Sequence, residues 1–131
     1  MLLALTLAWL GDTGGYFVGR FFGKTPLYPA VSPKKTRAGL LGAVLGAMVG
    51  ALGAALWYAP TLPVRDALVL GVLGGLVGQA GDLTESLLKR STGIKDSGGL
   101  LPGHGGMLDR IDALLVITPV VYLYTLFSSG R

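Results

Sequence analysis

The chain has no cysteine, a single histidine and only seven acidic residues in 131. Without cysteine there is no disulfide framework and no thiolate chemistry, and cysteine usage gives no clue to the compartment. Charge is scarce as well. Charged residues make up 14% of the chain, against about 25% in a typical soluble domain. A GxxxxGK[ST] sequence is absent, which excludes a P-loop as a phosphate binder. The opening run MLLALTLAWL lacks both a basic n-region and an A-x-A-like cleavage site, so it reads as the start of a spanning helix rather than a signal peptide.

Apolar residues fill the space. They make up 51% of the chain, and the mean hydropathy is +0.62. A net charge of +4 raises the question of nucleic acid, but the bases flank apolar runs instead of forming a solvated stripe. That is the pattern of loops in an integral membrane protein. A bilayer core of about 30 Å needs roughly 20 helical residues. Four segments qualify, at about 2–22, 39–59, 64–88 and 111–128. The expectation is an all-α, polytopic membrane protein with about four transmembrane helices, forming one domain over 1–131. No nucleic-acid partner is expected.

The loops set the orientation. The first, about 20–38, carries Arg20, Lys24, Lys34, Lys35 and Arg37, and the third, about 89–110, carries Lys89, Arg90, Lys95 and Arg110. The turn between them has only Arg65. If helices two and three form a hairpin, the two basic loops share one face. The positive-inside rule makes that face cytoplasmic, in a multi-pass protein of the cell (inner) membrane. Glycines recur every three or four residues along helices two and three, from Gly39 to Gly53 and from Gly71 to Gly81. Such a stripe permits close helix approach. Packing within this helical hairpin is the expected use, with a homodimer interface as the alternative.

The acids are not spread evenly. Asp82, Glu85, Asp96, Asp109 and Asp112 all lie in the stretch from 82 to 112. On a helix Asp82, Glu85, Ser86 and Lys89 share one polar face. A carboxylate in a membrane helix costs about 2.5–3.5 kcal/mol on insertion scales, so it marks a functional site by default. The plain alternative is a solvated Asp82 paired with Lys89. Asp109 and Asp112 are one turn apart and face the same way if a helix starts near Met107, where its N-terminus favours anions. Gly103, Gly105 and Gly106 leave backbone N–H groups open as a phosphate cradle.

Asp82, Asp109 and Asp112 together form a three-carboxylate oxygen site. With no cysteine and one histidine, it favours Mg²⁺ over zinc. Such an assembly suits phosphoryl or nucleotidyl transfer. His104 is either a phosphate donor or an interfacial residue. Arg20, Lys24, Lys34 and Lys35, with the hydroxyls of Ser32 and Thr36, form a second anion-binding set on the same face. These bases would also attract anionic membrane lipids. Asp12 is a further acid inside helix one, its partner being a loop base or a substrate hydroxyl.

The stretch SLLKRSTGIKDSGGLLPGHGGMLDRID resembles the signature of the phosphatidate cytidylyltransferase family, also called CDP-diacylglycerol synthases. GDTGGYFVGRFFGK and SPKKT resemble two further family segments, in the expected order. The resemblance extends over essentially the whole chain and corresponds to the C-terminal half of the family's usual length. Ala38 stands where the family commonly has Glu.

The resemblance implies transfer of a cytidylyl group from CTP to phosphatidic acid, with Mg²⁺ and a monovalent cation such as K⁺ alongside. Asp82 and Asp109 would be metal ligands supported by Asp112. Lys89, Arg90, Lys95 and His104 would hold CTP phosphates, and Ser32, Lys34 and Lys35 would face the nucleotide or the lipid phosphate. Ser86, Asp96 and Arg110, within the same signature, are expected to bind substrate. Direct attack of the phosphatidate oxygen on the α-phosphorus is the expected route, since no activated Ser–His pair calls for a covalent intermediate. The alternatives are a CTP-dependent kinase of a lipid alcohol, or an inactive subunit that packs against a partner.

Overall fold

The computed structural model describes residues 1–93 and 107–129, with side chains for 1–93 and 113–128. Four helices dominate: α1 (Leu2–Phe22), α2 (Arg37–Trp57), α3 (Val64–Thr92) and α4 (Met107–Ser129). Each overlaps one of the expected segments. The chain is mostly helical, as expected, with one addition. Between α1 and α2 lies an antiparallel hairpin of β1 (Pro26–Tyr28) and β2 (Ser32–Thr36). The Ser-Pro-Lys-Lys-Thr segment read as loop is therefore β2.

Local chemistry sets the ends. At the start of α2 the Thr36 hydroxyl accepts from the Gly39 N–H at 3.1 Å, a side-chain N-cap that satisfies one orphan donor. The Arg37 N–H donates to the Thr25 carbonyl at 3.1 Å, which closes the hairpin just where the helix begins. Helix α3 starts after Pro63 with Asp66 in its first turn and Lys89 and Arg90 in its last. Both placements complement the helix dipole. It stops at Gly93, whose φ of 68° is the left-handed conformation that glycine adopts without a Cβ penalty. The polar last turns of α3 thus stay helical four residues beyond the expected end at 88.

Among the described residues, α2 and α3 are long and apolar enough to cross a membrane. Helix α1 is interrupted by Thr6, Asp12, Thr13 and Arg20, and of α4 the described side chains cover the apolar stretch Ala113–Ser128. Four spans are thus not given by length and composition alone.

The bundle is small inside and large outside. Its core is Ala4, Leu7, Ala8, Ala47, Ala51, Ala67, Ala113, Ile117 and Val121. On α2 the large residues face outward, with Leu41 64%, Leu45 59%, Val49 64% and Leu56 86% exposed. Steps of four and then seven residues make this one outer stripe. Apolar residues on the outside and small ones within are the arrangement expected where lipid, not water, surrounds the helices.

Glycine governs the contacts. A methyl group on Gly14 would collide with the Gly42 carbonyl, and one on Gly42 with the Gly14 carbonyl. Gly46 stands equally close to the Leu10 carbonyl. The α2 stripe is therefore used within the chain, but its partner is α1 and not α3 as the hairpin reading had it. From α3, Gly71 and Gly75 receive the Met48 and Val44 backbone of α2, while Gly74 meets Leu7 and Gly78 meets Ile117. Two glycine faces bring three helices to backbone contact.

Candidate functional site

The hairpin folds over the polar end of α3. At its tip the Ala30 carbonyl accepts from an Arg90 guanidinium nitrogen at 2.9 Å. On β2 the Lys35 ammonium forms an ion pair with Asp82. Basic loop one and the end of α3 therefore meet at one face of the bundle, as the two-loop reading required.

Under the hairpin lies a cavity of about 560 Å³. Helix α1 contributes Asp12, Gly15, Tyr16, Gly19 and Arg20 to its wall, the hairpin Ser32, Lys34, Lys35 and Thr36, and α3 Gln79 and Asp82. On α1 these fall at i, i+3, i+4, i+7 and i+8, one face of the helix. Gly15 and Gly19 keep that face low, since a Cβ on Gly15 would lie 3.2 Å from the Gly39 carbonyl and 3.5 Å from the Gln79 amide nitrogen. Arg20 donates to the Tyr16 hydroxyl at 2.9 Å, which ties the base to the rim. Asp12 is close enough to Asp82 and Lys35 for both charges to act on it.

A second cavity of about 470 Å³ lies beside the first, lined by Ser32 and Lys34 from the hairpin and Ser86, Lys89 and Arg90 from α3. Ser32 and Lys34 border both. One cavity is mixed acid and base; the other is basic with two hydroxyls. Together they form a two-chamber site at the polar end of an apolar bundle.

The expected single polar face of α3 is divided. Asp82 does not pair with Lys89. Lys89 instead pairs with Glu85 at 2.8 Å, one turn away on the same helix, and Asp82 takes Lys35 from a segment 47 positions earlier. The i,i+4 spacing of Glu85 and Lys89 suits a pair along one helix, whereas Asp82 lies seven residues from Lys89. Glu85 is buried, at 8% exposure. The Ser86 hydroxyl donates to the Asp82 backbone carbonyl at 3.0 Å.

Of the residues singled out from sequence, Ser32, Lys34, Lys35, Asp82, Ser86, Lys89 and Arg90 come together here. Asp109, Arg110 and Asp112 lie in the first two turns of α4, which starts at Met107 as the paired-acid reading needed. Their side chains, and all of Lys95, Asp96 and His104, lie outside the described residues. Tyr16, Gln79 and the placement of Asp12 opposite Asp82 were missed. The signal for Gln79 was its position three residues before Asp82; for Tyr16 it was the one-turn spacing from Asp12.

The model of the cytidylyltransferase family matches residues 1–128. The chain belongs to this family. Among curated relatives it is 44% identical over 126 residues to a protein of Bacillus subtilis named phosphatidate cytidylyltransferase, covering 95% of this chain and 47% of the relative. It is 42% identical over 125 residues to the Aquifex aeolicus protein of that name, covering 94% and 46%. It is 40% identical over 130 residues to the Staphylococcus aureus protein of that name, covering 98% and 49%. The chain spans about half the length of these curated relatives. Within the cytidylyltransferase family, then, the part represented here includes the hairpin, both cavities and the segment that carries Asp109 and Asp112.

Proposed function

We propose that this chain carries the nucleotidyl-transfer site of an enzyme that makes CDP-diacylglycerol and pyrophosphate from CTP and phosphatidic acid. The observation that carries the reading is the pair of adjoining cavities at one end of an apolar bundle, one holding Asp12, Lys35 and Asp82, the other Lys34, Ser86, Lys89 and Arg90. Family membership and the relatives' names support cytidylyl transfer in particular. The bundle is proposed to span the cell membrane with all four helices, the hairpin on the cytoplasmic side where its bases belong. CTP would then arrive from the cytosol and the lipid laterally.

Mg²⁺ is proposed as the metal, with K⁺ as a companion cation. The described donors fit a hard cation: Asp12, Asp82 and the Gln79 amide line one cavity. No cluster of three or more acidic, His or Cys side chains is found among the described residues. That is compatible with Mg²⁺, which takes one or two carboxylates and leaves other positions to water and phosphate oxygens. Asp109 and Asp112 are proposed to approach from the start of α4. When bound, the cation supplies neutralisation of phosphate charge.

The chain's own residues do the rest. Lys34, Lys89 and Arg90 hold the β- and γ-phosphates and balance the charge that builds on departing pyrophosphate. Ser32 and Ser86 donate hydroxyls to phosphate oxygens. A phosphatidate oxygen forms the new bond to the α-phosphorus as the α–β anhydride bond breaks. That nucleophile is already anionic, so no general base is required.

The test is product analysis with the chain reconstituted in phosphatidate vesicles, labelled CTP and Mg²⁺. Labelled CDP-lipid with release of pyrophosphate is expected. Lipid phosphate and CDP would instead mark a CTP-dependent lipid kinase. Neither product at any protein dose would overturn the reading for this chain.

A further inference from the structure

We propose that Lys35 is a built-in placeholder cation. Its ammonium neutralises Asp82 while the site is empty, then leaves for nucleotide phosphate oxygens when a divalent cation takes that carboxylate. Metal and nucleotide therefore bind cooperatively. The inference rests on the metal reading of Asp82 given above.

The geometry points to a temporary partnership. Lys35 sits on β2 and Asp82 on α3, so the ion pair joins two separate elements. The ammonium is buried, and beyond this ion pair it meets no hydrogen-bond acceptor among the described residues. An ammonium carries three donors, and leaving buried donors unmet is costly. Lys35 is thus held by one carboxylate, with donors to spare for acceptors that arrive later. Phosphate oxygens are such acceptors.

The local charge count gives the direction. Asp12 and Asp82 line the same cavity as Lys35, and the charges of Asp82 and Lys35 both act on Asp12. Two carboxylates against the bases Arg20, Lys34 and Lys35 leave this wall with one positive charge in excess. A divalent cation on Asp82 deepens that excess and sets two cations a few ångströms apart. Repulsion at such range in a partly buried site is strong. The lysine has somewhere to go, because the cavity is roomy and Lys34, next on the strand, already borders the second chamber. Lys89 is excluded from this part, being paired to Glu85 one turn away and absent from the wall of the first cavity.

Coupling of this kind is reciprocal. The metal must expel the lysine, which weakens metal binding when no nucleotide is present. With nucleotide present the expelled ammonium gains phosphate partners, so each ligand tightens the other.

The experiment is Mn²⁺ binding, followed by electron paramagnetic resonance, to the full chain in phosphatidylcholine nanodiscs with and without CTP. In the unaltered chain CTP is expected to tighten Mn²⁺ binding by about tenfold or more, within the usual range of coupling between sites. Lys35→Gln is expected to bind Mn²⁺ several-fold tighter without CTP and to lose most of the CTP enhancement. Lys35→Arg keeps both behaviours, and Arg37→Gln, which removes an exposed base two residues along, leaves both unchanged. Circular dichroism and gel filtration confirm that each variant is folded. Lys35→Gln binding Mn²⁺ no tighter than the unaltered chain, while Asp82→Asn abolishes binding, would overturn the placeholder and leave the metal reading standing. Mn²⁺ binding indifferent to Asp82→Asn would overturn both.

Discussion

Two of the carboxylates on helix α3, Asp66 and Asp82, are treated differently. Asp66, in the first turn, accepts a hydrogen bond at 2.6 Å from the hydroxyl of Tyr124 on α4. Asp82, in the second half of the helix, faces an ammonium from the hairpin. The first partner is a neutral donor fixed on a neighbouring helix, and nothing in a reaction cycle would displace it. The second is an ammonium brought in from the hairpin, at the wall of a cavity. An acid held by a hydroxyl between helices is a fastener; an acid held by a lysine in a cavity is a socket.

The largest expected break of that contrast is Asp82→Asn. It should lower CDP-lipid formation by at least about a hundredfold, the scale for losing one electrostatic contact at a reacting centre, with little change in thermal stability. An activity within about twofold of the parent would remove Asp82 from the site.

Next comes the packing that holds both ends in register. Gly42→Leu forces a side chain into the Gly14 carbonyl, and overpacking of this sort costs about 1–3 kcal/mol. Thermal denaturation in detergent should show it, whereas Gly53→Leu, where an added Cβ meets nothing within 4 Å, should be silent. Equal losses in the two variants would contradict the α1–α2 contact. Arg90→Gln removes the clasp on Ala30 and a base from the second cavity. It should raise the KM for CTP by about tenfold, the loss of roughly one charge-assisted hydrogen bond, with the KM for phosphatidate little changed. The smallest effect belongs to the fastener. Tyr124→Phe should cost about 1 kcal/mol of stability and leave turnover untouched; a drop in activity instead would mean that the far end of α3 communicates with the site.

Much of the helix plan was legible because long apolar runs bounded by Pro60, Pro63 and charged segments leave few other options. The hairpin was not. Three prolines at 26, 29 and 33 and a lysine pair read as loop, and the strands form only because Thr25, Thr36 and Arg37 close them against the start of α2. The glycine stripes were visible, but periodicity tells that a face is small without telling which helix fills it. Asp82 was legible as an acid in the wrong solvent. Its partner was not, since helical spacing offers Lys89 and only the chain reversal at residues 29–31 delivers Lys35. Asp12 was noticed without a role for the same reason: its relation to Asp82 runs between helices α1 and α3, which no local pattern encodes.

The bundle's inverted build, with alanine and glycine at the centre and leucine and valine on the rind, has a consequence for how such a chain drifts under mutation. In a water-soluble domain the interior is the conservative region and the surface the permissive one. Here the rind asks only for greasiness, so Leu41, Leu45 and Val49 can trade with any apolar residue without cost to the fold. Where Gly14, Gly42 and Gly46 meet backbone, the centre admits nothing larger than what it has. Sequence change in this part of the molecule is therefore steered by volume at the axis and by oiliness alone at the rim.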